Sequence, residues 1–308
     1  IENFRELKFK FPGENVREHL EDPIYTRLWI LFEKILKTRD DVKFYSVLCR
    51  NCGFIFTNPR YTMEEMKIKY DAINELGSVK YRMKKNPPSN LSSRARRIYD
   101  LVKKYFNKSY DTGPMVLDYG GSYGYNLVPF VEKFDCSILD YERWDLPAGI
   151  KYLGEDLDDL KNSDKFDVIL LLHTLEHVIE PADFLANLCD HLKDDGIIYV
   201  EVPLGCFKEW EIISEPLTHV NFFSEESLYN CFEICKLKVI HLDTSFQWVT
   251  HGKMWCLNAI GAKNKYDGPQ LARSPLSTGN QMNKINYYLP YLFNLKSLRG
   301  IVRRIFKL

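Results

Sequence analysis

Residues 116–126 read VLDYGGSYGYN, and this stretch decides the fold. An apolar lead-in ends at Leu117, an acid follows at Asp118, and glycines stand at Gly120, Gly121 and Gly124. A buried strand that runs into a glycine-rich turn and then a helix forms the phosphate- or nucleoside-binding corner of an open α/β sheet. Glycines suit that corner because the backbone must approach the ligand closely and one position usually needs a positive φ.

The glycine spacing argues against two common nucleotide sites. A dinucleotide site needs G-x-G-x-x-G, which the three glycines do not fit, and a Walker loop needs a terminal G-K-[ST], which is absent from the stretch. The pattern that fits is D-x-G-x-[GS]-x-G, with Ser122 in the place of the middle glycine. This pattern resembles the first signature of class I S-adenosylmethionine-dependent methyltransferases.

Later segments extend the resemblance over residues 94–262. The pair Ile138-Leu139 ends in the acid Asp140, and residues 166–178 read FDVILLLHTLEHV, whose apolar run is typical of a strand buried on both faces. The resemblance implies an α/β fold with a Rossmann-like seven-stranded methyltransferase sheet whose final strand is antiparallel. We expect three regions: an N-terminal helical and hairpin segment (1–90), the methyltransferase domain (91–264) and a C-terminal helical tail (265–308).

The same resemblance assigns a set of residues to S-adenosylmethionine and to its product S-adenosylhomocysteine. The glycine turn would hold the methionine moiety, with Asp118 near the ammonium, and Asp140 would take the ribose hydroxyls. Asp156 and Leu157 would flank the adenine, although neighbouring acids compete with Asp156 for that place. The complete predicted cofactor set is Asp118, Gly120, Gly121, Gly124, Asp140, Tyr141, Asp156, Leu157 and His173.

The sequence HTLEH, residues 173–177, has two interpretations. As a bare string it is the inverted zinc-protease motif, which requires both histidines on one face of a long helix. Here a buried strand ends directly at His173, so we favour the methyltransferase interpretation, in which Glu176 and His177 face the acceptor. Similar ubiquinone-biosynthesis O-methyltransferases bind a divalent ion through an acid-x-x-Glu-His pattern. Because His173 replaces the first acid, we do not expect a metal; a structural role for His177 stays open.

His219 completes the predicted catalytic set of His219, His177 and Glu176. A histidine just before a capped helix is usual in the group that this chain resembles. A neutral imidazole near pH 7 is a natural general base for a sugar hydroxyl. The alternative is a loop histidine that only shapes the acceptor pocket.

The N-terminal region carries a lone C-x-x-C at Cys49 and Cys52. It resembles the second half of a four-cysteine zinc module found in sugar C-methyltransferases, but no first pair precedes it in the chain. Two thiolates rarely suffice for a structural zinc site, so we expect a metal-free hairpin that turns at Gly53. Helices are predicted on either side of the hairpin, at residues 25–36 and 63–73.

Bulk composition limits the partners. The net charge is +0, so no global field favours nucleic acid, and we expect none. No membrane span or signal peptide is visible, and eight scattered cysteines suit a reduced, cytoplasmic compartment. After Asp267 the tail has bases but no acids, interleaved with apolar residues. The pattern predicts a basic amphipathic helix that either packs on the domain or contacts the anionic inner face of the membrane.

The sequence therefore predicts methyl transfer to a small molecule. We expect the acceptor to be a hydroxyl of a sugar, in a nucleotide sugar or a surface polysaccharide. The alternatives are a quinone-like acceptor, C-methylation of a sugar, a non-catalytic cofactor-binding module, and a metal hydrolase that uses HTLEH.

Overall fold

The structure is a computed structural model that describes residues 1–20, 22–77, 89–204, 215–249 and 252–269. The predicted tail helix falls on residues outside these ranges. Within them, no helix is both long enough and apolar enough to cross a bilayer.

The N-terminal unit combines a small antiparallel sheet with two helices. Its elements are β1 (Glu2–Phe9), α1 (Pro23–Trp29), a π-helical continuation (Ile30–Leu36), β2 (Val42–Leu48), β3 (Ile55–Asn58) and α2 (Met63–Gly77). Asp22 begins α1 by accepting hydrogen bonds from the backbone N–H groups of Ile24 (2.9 Å) and Tyr25 (3.2 Å). Both predicted helices and the hairpin with Gly53 at its turn are confirmed. The sequence analysis missed β1.

The second unit contains the predicted seven-stranded sheet. Its elements are α3 (Ser89–Tyr105), β4 (Met115–Tyr119), β5 (Asp135–Leu139), β6 (Ile150–Gly154), β7 (Phe166–Leu172), α4 (Pro181–Asp190), β8 (Leu192–Pro203), β9 (Asn221–Phe222), α5 (Glu225–Ile234), β10 (Lys238–Val249) and β11 (Gly252–Ala262). The strand order is β10-β11-β8-β7-β4-β5-β6, in which β11 runs antiparallel to both its neighbours. The expected Rossmann-like fold and its antiparallel final strand are confirmed.

One local prediction needs correction. The helix expected directly after the glycine turn is only a 3-10 segment, Tyr125–Phe130. Pro129 lies inside it and has no N–H to donate, which works against a regular α-helix there.

Helices cover both faces of the large sheet. Every residue of β7 is buried, and its side chains alternate between the two faces. Ile169 and Leu171 belong to the cluster formed with α4 and α5, whereas Val168 and Leu170 belong to the cluster formed with α3. The continuous apolar run predicted from the sequence is thus explained by a central strand with no solvent-facing side.

The two units are joined through β9. This two-residue strand lies in the second unit's sequence but pairs with β3, giving a small sheet of order β1-β2-β3-β9. Leu217, Val220 and Phe222 pack in the N-terminal core with Leu31 and Phe44. A backbone hydrogen bond from Thr57 N–H to the Val220 carbonyl (3.0 Å) reinforces the junction. The two units, which the sequence divides near residue 90, are therefore in direct contact through β9.

Candidate functional site

The candidate site lies where the parallel strands β4, β5 and β7 end at their carboxyl edges. In the order β7-β4-β5, the chain leaves β4 toward β5 on one side and later returns with β7 on the other. Such a reversal opens a crevice in which open α/β sheets bind ligands. The glycine turn follows β4 directly at this place.

Tight backbone geometry explains the glycines of the turn. Gly120 has φ +73°, and its N–H donates to the Leu139 carbonyl at 2.8 Å. A Cβ on Gly121 would lie 2.8 Å from the Asp118 carboxyl carbon, so a side chain there would displace that acid. Ser122, in the place of the pattern's middle glycine, has φ 49°. Close packing against Thr174 and Asp118 therefore explains Gly120 and Gly121, and contact of the turn with the methionine moiety stays a prediction.

Asp118 lies fully buried at the foot of the turn. Neither of its carboxylate oxygens has a hydrogen bond of good geometry within the described residues. Burial raises the pKa of Asp118 to about 7, and the positive charge of Arg94 opposes that rise. A buried acid with unused oxygens beside an open turn fits a cationic ligand group such as the methionine ammonium.

Asp140 ties the turn to the end of β5. Its Oδ2 accepts from the Ser122 N–H at 2.8 Å, and its Oδ1 accepts from the Glu142 N–H at 3.0 Å. Each oxygen keeps a second lone pair, which suits a pair of ribose hydroxyls. Tyr141 is 45% exposed, and its ring lies 5.1 Å from that of Tyr70, so α2 reaches this edge of the crevice.

In the segment predicted to lie beside the adenine, acidic side chains accept hydrogen bonds from the segment's own backbone. Asp156 caps a 3-10 turn, Leu157–Asp159, by accepting from the Asp158 N–H at 2.9 Å. Asp159 accepts from the Glu155 N–H at 2.6 Å. Leu157 packs against the core below. The contact of Asp156 and Leu157 with adenine stays a prediction.

His173 bridges two buried carboxylates. Its backbone adopts φ +54°; Nε2 lies 3.1 Å from Glu201 Oε1, and Nδ1 lies 3.4 Å from Glu176 Oε1. Burial opposes the charged ring, but Cys256 and the two acids raise the pKa of His173 well above its ordinary value. The imidazolium is therefore held in place by ion pairs, and its predicted contact with the cofactor is untested.

The zinc-protease interpretation lacks its helix. His173 follows β7 directly in a left-handed conformation, and His177 lies in a separate 3-10 turn, Leu175–His177. The two histidines therefore do not share the face of one helix, which that motif requires.

Glu201 is a site residue that the sequence analysis missed. It is fully buried in β8, where Arg94 and Arg97 each donate to it at 2.5 Å and the Tyr199 hydroxyl donates at 3.0 Å. Burial disfavours its charge, but the arginines and His173 lower its pKa well below the ordinary value. An acid inside the apolar run IIYVEV was the signal that could have revealed this network.

The structure brings the three catalytic candidates together. Glu176 Oε1 lies 3.9 Å from Nε2 of both His177 and His219, and the two imidazole rings are 4.6 Å apart. Burial works against ionisation of Glu176, but the three histidines around it lower its pKa to about 2. Burial and the charge of His219 lower the pKa of His177 to about 3. His177 is therefore a neutral ring that faces a buried carboxylate at neutral pH.

Within the described residues, two groups of side chains could offer donor atoms to a metal. One is His173, Glu201 and Cys256, and the other is Glu176, His177 and His219. In the first group, Glu201 already forms ion pairs with Arg94 and Arg97. In the second group, His177 Nδ1 lies 2.6 Å from the Thr218 carbonyl, and the positive charge of the buried Lys69 acts on His177. That no metal is required stays a prediction.

The C-x-x-C forms the turn of the β2–β3 hairpin. The Cys49 N–H donates to the Phe54 carbonyl and the Gly53 N–H donates to the Cys49 carbonyl, both at 2.8 Å. The Ser224 hydroxyl at the start of α5 donates to the Cys52 carbonyl. Hydrogen bonds thus hold this hairpin, and the absence of zinc from Cys49 and Cys52 stays a prediction.

Comparison with known proteins agrees with this geometry. Residues 91–242 match the family described as "Methyltransferase domain". The ubiquinone biosynthesis O-methyltransferases of Rickettsia typhi and Rickettsia prowazekii are each 35% identical, over 119 and 116 residues. These matches cover 35% and 34% of this chain and 47% and 46% of the relatives, so the chain spans about half the length of the curated relatives it matches.

Solved structures give weaker similarity. Magnesium protoporphyrin IX methyltransferase from Synechocystis PCC 6803, with bound S-adenosylhomocysteine, is 14% identical, with a TM-score of 0.48 over 64% of this chain and 99% of that one. The N-terminal domain of EvdMO1 with S-adenosylhomocysteine is 16% identical, with a TM-score of 0.39 over 57% of this chain and 82% of that one.

The fold and the site together define a class. Residues 91–242 form a methyltransferase domain, and its fold is that of the class I S-adenosylmethionine-dependent methyltransferases. The cofactor of this class is S-adenosylmethionine. The residues present fit it, because Asp118 has unused buried oxygens and the turn at Gly121 has no room for a side chain.

Proposed function

We propose that this protein transfers the methyl group of S-adenosylmethionine to a hydroxyl of a small molecule. One observation carries the proposal: Glu176, His177 and His219 meet at the end of β7, the strand beside the β4 that leads into the glycine turn. A base cluster next to a cofactor turn is what acceptor deprotonation requires. The bound cofactor supplies an activated methyl group, so the protein has to position the acceptor and remove its proton.

In this proposal, one of the two histidines is the base and the other anchors the acceptor hydroxyl. His177 Nδ1 lies 2.6 Å from the Thr218 carbonyl, which fixes the ring as an Nδ1–H donor and leaves the Nε2 lone pair free to accept. His219 lies beside it against Glu176, where a proton taken from the acceptor would be stabilised by the carboxylate. Either imidazole can serve as the base or as the anchor of the acceptor hydroxyl.

Alanine substitution tests this division. Replacing the true base should lower turnover by roughly 10²–10⁴-fold while S-adenosylhomocysteine affinity, measured by isothermal titration, stays nearly unchanged. His19→Ala, at an exposed histidine of the N-terminal unit, is the matched control. Full activity in both His177→Ala and His219→Ala would refute base catalysis by this pair.

For the acceptor, we propose a sugar hydroxyl, in a nucleotide sugar or a surface glycan. The support is the resemblance of residues 49–59 to a segment of sugar methyltransferases. A second candidate, a phenolic quinone precursor, is favoured by the two Rickettsia relatives; C-methylation of a sugar is the third. Mass spectrometry of surface glycans and of quinones from a deletion strain would separate a sugar acceptor from a quinone precursor, since only the affected class loses a methyl group. Fragmentation of the affected sugar would show whether the methyl group was on oxygen or on carbon.

A non-catalytic cofactor-binding module is the alternative from another class. It predicts S-adenosylhomocysteine binding without turnover on any acceptor. The intact base cluster of Glu176, His177 and His219 favours turnover.

We also propose that the protein works in the cytoplasm, with its basic tail on the inner face of the membrane. Five bases stand between Lys296 and Lys307, each contributing about 1 kcal/mol near an anionic surface. Deleting residues 293–308 should release the protein from phosphatidylserine vesicles at low salt and spare activity on a soluble acceptor. Absence of vesicle binding by the intact chain would leave only the packing interpretation.

A further inference from the structure

The amine of Lys69 is buried without a hydrogen-bonding partner. Lys69 lies in α2, is 2% exposed, and its Nζ has no hydrogen-bond partner within the described residues. Its Nζ lies over the ring of Tyr70, 4.4 Å from the ring centroid. Buried ammonium groups are normally paired with an acid or hydrogen-bonded. The side chain is therefore a strong donor that lacks an acceptor.

The acids that act on Lys69 and its neighbours are already engaged. Glu215 accepts backbone hydrogen bonds from Leu217 (2.7 Å) and Thr218 (3.0 Å), and its other oxygen lies 3.6 Å from Arg27. Glu176 faces three histidines. Burial therefore lowers the pKa of Lys69 to about 7, against the attraction of Glu215. An anion brought by a ligand would restore the full positive charge.

Two further donors around Glu215 lack acceptors. The hydroxyls of Tyr61 and Thr218 are buried and have no hydrogen-bond partner within the described ranges. Glu215 accepts a hydrogen bond from the Thr218 N–H, and its charge acts on both Tyr61 and Lys69. Thr218 also joins this place to the candidate base, since its carbonyl lies 2.6 Å from His177 Nδ1.

We propose that Lys69, with the hydroxyls of Tyr61 and Thr218, binds an anionic oxygen of the methyl acceptor. Three donors without acceptors match an oxygen that accepts several hydrogen bonds, and charged oxygens are the strongest acceptors. The oxygen comes either from a carboxylate, as in an acidic sugar, or from an ionised phenol. The inference rests on the proposed function, because it assigns the acceptor to the space beside His177.

Matched probes test the charge requirement in protein saturated with S-adenosylhomocysteine. D-glucuronate is compared with D-glucose, and 4-nitrocatechol with catechol, by isothermal titration. The anion of one pair should bind roughly 10- to 100-fold more tightly than its neutral partner. Preference for glucuronate identifies a carboxylate, and preference for nitrocatechol identifies a phenolate. Lys69→Met should abolish the preference, whereas Lys67→Met, at an exposed lysine of the same helix, should keep it.

Thermal unfolding separates a binding role from a structural one. Methionine has a similar shape and no charge, so Lys69→Met should keep or raise the midpoint of unfolding. A lower midpoint, equal binding of both members of each pair, or a preference that survives Lys69→Met would each overturn the inference. Failure of the wild-type protein to bind S-adenosylhomocysteine would instead refute the proposed function.

Discussion

Asp140 both holds the glycine turn and is assigned to the ribose, so its replacement should weaken cofactor binding. Its carboxylate holds the glycine turn through Ser122 and has lone pairs left for the ribose. Asp140→Ala should weaken S-adenosylhomocysteine binding by about 2–4 kcal/mol, because two charge-assisted hydrogen bonds are removed. Isothermal titration measures the change.

The control for Asp140 lies at the opposite end of the same strand. Asp135 pairs with Lys151 at 2.7 Å, far from the carboxyl edge. Asp135→Ala should bind the cofactor product as the wild type does. Unchanged affinity in Asp140→Ala would remove the ribose assignment.

Asp118 should make the ligand-free protein sensitive to pH. Its folded pKa of about 7 exceeds the ordinary value of 3.8, so the folded state holds an extra proton between these pH values. The free energy of unfolding therefore gains a contribution from Asp118 at low pH that is lost as pH rises toward 7. Asp118→Asn cannot lose that proton. Its stability advantage over the wild type, measured by urea unfolding, should widen from pH 5 to pH 8.

A constant difference between Asp118→Asn and the wild type across that range would contradict the assignment. Saturating S-adenosylhomocysteine offers a second check. Its ammonium would favour the ionised acid, so the dependence on pH should shrink when the ligand is bound.

At the scale of elements, the side chain of Asn221 links β9 to both units. Buried Asn221 donates to the carbonyls of Leu175 and Val178 and accepts from Arg60 Nη1 at 2.8 Å. It thus fastens the base-bearing turn to the N-terminal unit. Asn221→Ala should lower the free energy of unfolding by about 2–4 kcal/mol, because buried carbonyls lose their donor, and turnover should fall with it.

Asn107→Ala is the comparison for Asn221, since Asn107 is exposed and its side-chain amide donates to Asp267. We expect that variant to unfold as the wild type does. If Asn221→Ala is equally stable, β9 is held by its backbone pairing with β3 and by packing, without a contribution from this side chain.

The sequence predicted the secondary-structure elements better than it predicted the contacts between distant residues. The strands ending at Leu117, Leu139 and Leu172 were predictable because apolar runs end in acids or turn residues. The contact between His177 and His219 was only partly predictable. His177 bonds to Thr218, the residue before His219, which is 41 residues away in the sequence, and no periodicity predicts a contact over that distance. Lys69 gave no usable signal, because burial of its charge depends on how distant elements pack, whereas Glu201 stood out only as an acid inside an apolar run.

At the scale of the whole molecule, one ion network spans the sheet and α3. Glu201 in β8 joins Arg94 and Arg97 of α3 to His173 after β7. Glu201→Gln should lower the free energy of unfolding by about 3–5 kcal/mol, because Arg94 is then left buried without its counter-ion. Urea unfolding measures the loss.

Asp194→Asn is the matched change at an exposed ion pair. Asp194 lies 2.7 Å from Lys265, and both side chains are solvated, so we expect no measurable change in the unfolding midpoint. Equal effects of the Glu201 and Asp194 substitutions would mean that the buried network contributes no more than a surface pair.

The β3–β9 pairing can form only late in synthesis, after the N-terminal hairpin has already been made. The N-terminal hairpin leaves the ribosome long before Asn221 and Phe222 are made, yet its outer edge has no other strand partner in the described chain. At roughly 5–20 residues per second, that edge stays uncovered for about 10–30 s. Nascent chains therefore carry an open strand edge, which invites pairing between neighbouring polypeptides and makes this hairpin a natural place for a chaperone to act.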